Sequence, residues 1–314
     1  MTVVRESVLA VQGLRKTFGA VTAVDGISFE VRGGEIFTII GPNGAGKTTT
    51  LEMIEGLQQP DAGEITILGM KWDRSRNAIK MRIGVQPQTS ALFDLLTVEE
   101  NLETFASFYD RKRQVEEILD YINLADHRGK RVKVLSGGQK QRLAIGLAMI
   151  NDPDLIFLDE PTTGLDPQAR RNIWDIVLKL RSLGKTTILT THYMEEADKL
   201  SDRVCIVDQG RIVALDTPKA LIGQLTRERE IHLTFTEGDI PAAEAESIAL
   251  GNPAVTRVKR EGDHLIVWSI KPEETLYGLF GFTTERSIQV EQVSIREMSL
   301  EDVFIAYTGK EWRD

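Results

Sequence analysis

The sequence predicts two domains: an α/β domain over residues 1–228, built on buried parallel strands, and a smaller α+β domain over residues 229–314. Three observations carry this. Ile36–Ile40 and Leu155–Leu158 are short, continuously apolar runs, the pattern of strands covered on both faces. Residues 229–314 give strand and helix signals in the order βαββαβ. Composition changes between them: 9 basic and 16 acidic residues lie from Arg229 onward, against 29 and 31 before it. The segment TRERE at 226–230 reads as a solvated joint.

A chain of 314 residues suits about two domains of roughly 150 residues. With 41% hydrophobic and 27% charged residues it has the composition of a folded globular protein, not of a disordered or fibrous one. No apolar stretch approaches the ~18 residues that span a bilayer. The N-terminal MTVVRESVLA lacks the pattern of a secretion signal. The single cysteine, Cys205, has no partner for an internal disulfide, and no Cys/His cluster suggests zinc. A reducing, cytoplasmic setting is expected. The net charge of −9 argues against broad contact with nucleic acid.

The run Ile36–Ile40 leads into Gly41-Pro42-Asn43-Gly44-Ala45-Gly46-Lys47-Thr48, followed by Thr49 and a helical pattern over 48–57 with Leu51, Ile54 and Leu57 at core spacing. This is G-x-x-x-x-G-K-[ST] between a strand and a helix. Glycines let backbone N–H groups approach phosphate oxygens, and the helix N-terminus completes an anion nest. Lys47 would bridge the β- and γ-phosphates, and the Thr48 hydroxyl would ligate Mg²⁺. These residues predict a P-loop NTPase.

Leu155–Leu158 ends directly in Asp159-Glu160. Asp159 would hold Mg²⁺ through water, and Glu160 would polarise the attacking water, since phosphoryl transfer depends on in-line placement and charge compensation. Between the two strands lies Leu135-Ser136-Gly137-Gly138-Gln139, before an apolar helical run. Ser136 can cap that helix and leave its N–H groups open to a second phosphate.

In this order the motifs closely resemble the ATP-binding cassette (ABC) ATPases, over residues 7–225. The resemblance implies several roles. Phe18, in KTFGA, would stack on adenine. Gln88, in IGVQPQ, would contact Mg²⁺ and sense a membrane partner, with Gln86 a nearby competitor. Ser136, Gly138 and Gln139 would bind the γ-phosphate of ATP held by another subunit, and Asp166, in TTGLD, would cross the same interface. His192, in LTTHYMEEAD, would contact the γ-phosphate. ATP and Mg²⁺ are the implied cofactors. A head-to-tail dimer, of two copies or of paired cassettes, would sandwich two ATP molecules. A separate transmembrane permease would place the chain on the cytoplasmic face of the cell membrane.

A helical insert is expected over about 89–150. Thr97 and Glu100 form a capping-box pair, followed by Leu102, Phe105 and Phe108 at helical spacing. Another helix is expected over 114–124. In the family this insert receives the permease. Phe93, Leu95 and Leu96 would make that contact, or else form the insert's own core.

In the second domain, strands are expected over 230–235, 255–258, 264–268 and 287–295. Helices are expected over 241–250, stopped by Gly251, and over 272–280. That order predicts a ferredoxin-like domain. A last helix starts at Ser299, in MSLEDVFIAYTG. With THYMEEAD, this string resembles the ATPase subunits of daunorubicin-resistance-type multidrug exporters. Leu300, Val303 and Phe304 would dock on their own domain or touch a partner. The leading reading is the ATPase of an exporter of a drug or lipophilic compound. The alternative is a non-transport ABC ATPase acting on ribosomes or DNA. The single set of motifs and the lack of a long coiled-coil insertion argue against it.

Overall fold

The computed structural model describes residues 6–89, 92–225, 228–236, 242–296 and 298–309. Two compact units divide the chain, one of Met1–Pro218 with Tyr307–Asp314, the other of Lys219–Ala306.

The first unit opens with a long hairpin, β1 (Ser7–Phe18) and β2 (Val21–Arg32), then β3 (Ile36–Ile40) and α1 (Lys47–Ile54). Next come β4 (Ala62–Ile67), β5 (Met70–Lys71), α2 (Trp72–Lys80) and β6 (Ile83–Gln86). The insert follows as α3 (Val98–Ala106), α4 (Val115–Tyr121) and α5 (Gly137–Met149). The unit continues through β7 (Leu155–Asp159), α6 (Pro167–Ser182), β8 (Thr186–Thr191), α7 (Met194–Leu200), β9 (Arg203–Asp208) and β10 (Arg211–Asp216). A six-stranded sheet has the order β10-β9-β3-β8-β7-β6, and all its pairings are parallel except β10 with β9. A second, antiparallel sheet has the order β2-β1-β4-β5.

Why the central strands read as unbroken apolar runs is visible in β7. Ile156 and Leu158 enter a core shared with the insert helices, while Leu155 and Phe157 enter the core shared with α1 and the second sheet. Each fully buried large side chain contributes about 1.5–3 kcal/mol. The strand is therefore held from both faces, and its C-terminal end is fixed in position.

α1 is shorter than expected. It ends at Ile54, and Leu57 is 67% exposed, not in the core. Gly56, at φ +74°, turns the chain there, and a Cβ on it would meet the Trp72 ring at 2.9 Å. Thr97 caps α3 as the spacing predicted, with Glu100 closing the box. Leu102 is buried and Phe105 partly buried, but Phe108 lies exposed, because α3 stops at Ala106.

The second unit contains α8 (Pro218–Gln224), which starts at the last residue of the first, then β11 (Arg229–Phe235), α9 (Ala242–Gly251), β12 (Val255–Glu261), β13 (His264–Ser269), α10 (Pro272–Glu285), β14 (Val290–Arg296) and α11 (Leu300–Thr308), whose last two residues are counted in the first unit. Its antiparallel sheet runs β12-β13-β11-β14. Gly251 is the last residue of α9, and the expected start at Pro241 lies outside the described residues. α10 runs five residues past the expected 280, and the following strand begins at Val290 rather than 287, because Ser287 sits at φ +55° in the turn between them. Leu300, Val303 and Phe304 are buried.

Candidate functional site

Three adjacent parallel strands, β3, β8 and β7, end at one edge of the six-stranded sheet. Ligands of open α/β sheets bind at that carboxyl edge. The loop Gly41–Gly46 follows β3, Asp159-Glu160 ends β7, and His192 follows β8.

Two glycines of the loop are there for packing. A Cβ at Gly41 would lie 2.2 Å from the Val207 carbonyl oxygen, and one at Gly46, where φ is +100°, would lie 2.3 Å from that of Ala23. Gly44, at φ +80°, has nothing within 4 Å of its would-be Cβ. There the loop turns its bare backbone outward, the cradle a phosphate needs. Asn43 is exposed, Pro42, Thr48 and Thr49 are partly buried, and Ala45 is buried.

Lys47, at the first position of α1, is buried. Its Nζ donates to the carbonyls of Gly41 (2.9 Å) and Pro42 (3.3 Å) and pairs with Glu160 Oε1 at 3.3 Å. Thr48 Oγ1 donates to Asp159 Oδ1 at 3.5 Å, so two of the three would-be Mg²⁺ residues meet. Burial pushes the Asp159 carboxyl above its ordinary value, against the Thr190 hydroxyl that donates to it. Glu160 sits at φ +46°, a left-handed conformation costing about 1–3 kcal/mol for a residue with a side chain. It is held there by its N–H, which donates to Thr190 Oγ1 at 2.9 Å, and by Thr163 Oγ1, which donates to Glu160 Oε2 at 3.1 Å. His192 Nδ1 lies 3.2 Å from the same Oε2. A buried cation, two carboxylates and an imidazole thus converge beside the open cradle. The donor set fits a nucleotide phosphate with a hard divalent cation.

The remaining predicted residues lie elsewhere in the unit. Phe18 is exposed at the end of β1, with Lys16 Nζ 5.6 Å from its ring. Gln88 is exposed just beyond β6, whereas Gln86 is buried, with its amide donating to the Pro87 carbonyl at 2.6 Å. Ser136 caps α5: its hydroxyl accepts the Gln139 N–H at 3.3 Å, and Gln139 Oε1 accepts the Ser136 N–H at 2.9 Å. Gly138 packs so closely on α6 that a Cβ would come within 2.9 Å of Ala169 Cβ. Asp166 Oδ1 caps α6, accepting the N–H groups of Gln168 and Ala169.

Sequence reasoning missed Thr190 and Thr163, which hold the two acids, and His127, whose Nε2 lies 2.8 Å from Gln139 Nε2. The signal available for Thr190 was its place in a strand, TTILTT, that is buried throughout. A hydroxyl there requires a partner.

The ABC transporter family pattern matches residues 24–163. Among curated relatives, the Nod factor export ATP-binding protein I of Ralstonia nicotianae is 40% identical over 98% of this chain and 95% of its own length. That of a Rhizobium species is 41% identical over 95% of this chain and 96% of its own. The solved structure of an ATP-binding subunit of an ABC transporter superposes with a TM-score of 0.62 at 30% identity, over 69% of this chain and 92% of that one. A dimeric, post-hydrolysis cassette bound to ADP and Pi gives 0.61 at 28% identity, over 67% and 98%. The chain belongs to the ABC transporter family, as an ATP-binding subunit that hydrolyses ATP with Mg²⁺.

Proposed function

We infer that this chain powers export of a drug or lipophilic compound through a separate transmembrane permease, from the cytoplasmic face of the membrane. The observation that carries the reading is the likeness over nearly the full length to the Nod factor export ATP-binding proteins. Cassettes of this family act as dimers with separate transmembrane partners. Among the described residues, no helix is long and apolar enough to cross a membrane.

Within the site, Lys47 and the N–H groups of Asn43 through Thr49 take the phosphates, Thr48, Asp159 and Gln88 take Mg²⁺, and Phe18 takes the adenine. Glu160 orients the attacking water, and His192 holds the γ-phosphate. Ser136, Gly138, Gln139 and Asp166 act on the ATP of the opposite cassette in a head-to-tail sandwich. The exposure of Gly44 and the pairing of Glu160 with both Lys47 and His192 support these roles.

The permease docks on the insert. Phe93 and Leu95 are exposed there, and Leu96 is partly buried. The fully buried Asn101 holds their loop: its Oδ1 accepts the Phe93 N–H at 3.0 Å, and its amide donates to the carbonyls of Phe93 and Thr97. The cassette occupies 1–228, and 229–314 form a ferredoxin-like accessory domain, a reading supported by the βαββαβ order and the antiparallel sheet.

The test is affinity purification of the tagged chain from detergent-solubilised membranes, followed by ATPase assay. Capture of a multispan protein that raises turnover above that of the free chain is expected. Capture of ribosomes, or of no membrane protein, would contradict export.

A further inference from the structure

One buried carboxylate near the site is not used by any phosphate or metal chemistry described above. Glu196, in α7, is fully buried. Its Oε1 accepts the Trp174 Nε1–H at 2.9 Å, and its Oε2 accepts the Thr162 hydroxyl at 3.1 Å. Burying a carboxylate costs desolvation that an apolar side chain would avoid. What a carboxylate offers in return is two acceptor-only oxygens that hold several donors at once.

The donors are informative. Thr191 immediately precedes His192, and its Oγ1 accepts the Tyr193 N–H at 3.0 Å; the Tyr193 carbonyl in turn accepts the Ala197 N–H at 3.3 Å, so the residues flanking His192 are tied to each other and to the start of the helix that carries Glu196. Thr162 stands two residues after Glu160, next to Thr163, whose hydroxyl donates to Glu160 Oε2. Trp174 is in α6, the helix that Asp166 caps. Tyr193 is gripped from α6 too: the Arg170 guanidinium carbon lies 4.1 Å from its ring centroid, and the Tyr193 and His192 ring centroids are 4.1 Å apart. Cation–π stacking of this kind orients a ring.

The geometry points to Glu196 as the positioning residue that keeps His192 in register with the Glu160–Asp166 segment, so that its carboxylate supports turnover and not nucleotide affinity. The inference rests on the reading that Glu160 and His192 carry hydrolysis. Glu196 acts through Thr162, Trp174 and its own helix α7 and touches no nucleotide. Glutamine in its place keeps one acceptor oxygen and turns the other into an amide donor, which the indole N–H cannot meet and the Thr162 hydroxyl meets only by reversing its own bond, so the grip of one carboxylate on both donors is lost.

The experiment uses the full chain. Turnover and KM for Mg-ATP are measured together with the affinity for the fluorescent analogue TNP-ATP, for wild type, Glu196→Gln, Thr162→Val, the double variant and Glu160→Gln. Misplacement of catalytic groups by about an ångström costs on the order of a hundredfold in rate. A fall in kcat of at least about tenfold is therefore expected for Glu196→Gln, with KM and TNP-ATP affinity within about twofold of wild type. Thr162→Val is expected to lower kcat in the same sense, and the double variant to fall less than the product of the two, because both act on one contact. Thr162→Val removes a single hydroxyl, so it decides the matter if Glu196→Gln fails to fold. Wild-type kcat in either folded variant, or a loss of affinity matching the loss of rate, would overturn the proposal while Glu160→Gln is inactive. Undiminished hydrolysis in Glu160→Gln would instead bring down the site reading, and this inference with it.

Discussion

His192 Nδ1 lies 3.2 Å from Glu160 Oε2, while Lys47 Nζ lies 3.3 Å from the other oxygen of the same carboxylate. Glu160 is thus held between a group brought by the strand beside it and a group brought by the phosphate loop. Its left-handed backbone is a cost accepted at the end of β7, where Thr190 and Thr163 fix it from both sides. The geometry around Glu160 is set by three neighbouring strands, and the loops beyond them begin from fixed ends.

Lys47 is the buried cation of that arrangement, and its amine makes the contacts that a phosphate oxygen would replace. Lys47→Ala removes the cation that pairs with Glu160 Oε1. Loss of hydrolysis by more than about a hundredfold is expected, together with weaker nucleotide binding. Steady-state ATPase and TNP-ATP titration check both. Undiminished turnover would remove Lys47 from the site.

Glu55, at the C-terminal end of α1, has its carboxyl pushed up to about 8, first by burial and then by the charges of Asp159 and Glu52. The folded chain therefore keeps a proton that the unfolded chain releases near the ordinary value of 4.5. That contribution to stability is complete below 4.5 and is lost as pH rises through about 8. Glu55→Gln has no proton to lose. In thermal melts without Mg²⁺, the variant is expected to gain on wild type between pH 5 and 8 and to hold a constant lead above that. Parallel curves for the two proteins would contradict the burial of this group.

Leu95 is 72% exposed on a loop that Asn101 holds rigid, far in the sequence from the phosphate loop and both acids. Leu95→Asp is expected to leave the free chain's ATPase unchanged and to abolish the stimulation given by the co-purified permease. Reconstituted vesicles would show substrate export falling with it. Normal stimulation in the variant would move the docking surface elsewhere.

The parts of the site legible in the sequence are those whose spacing the chemistry itself dictates. Gly41 to Thr48 must wrap a phosphate, and Asp159-Glu160 must sit at a strand end. The structure brings Lys47, Thr48, Asp159, Glu160 and His192 together. Less legible was the β1–β2 hairpin. Gly13 and Gly26, both at positive φ, break its alternation, and the register slips between Val11 and Leu14. Thr190 reads as polar in composition, yet it is a buried strand residue whose hydroxyl serves both acids. Glu196 lies in the first turn of α7, where an acid ordinarily complements the helix dipole at the surface. Only the fold shows that it is enclosed by Thr162 and Trp174. Leu57 carried the right spacing for the core but stands one residue past Gly56, where the helix has already ended.

In the proposed function, Glu160 completes a hydrolysis site shared between two cassettes. Size-exclusion chromatography with light scattering, run on Glu160→Gln in Mg-ATP beside an ATPase assay, tests it most directly. A dimer that holds two ATP molecules and turns over at least about a hundredfold more slowly than wild type is expected. A monomer in saturating ATP that hydrolyses at the wild-type rate would contradict it.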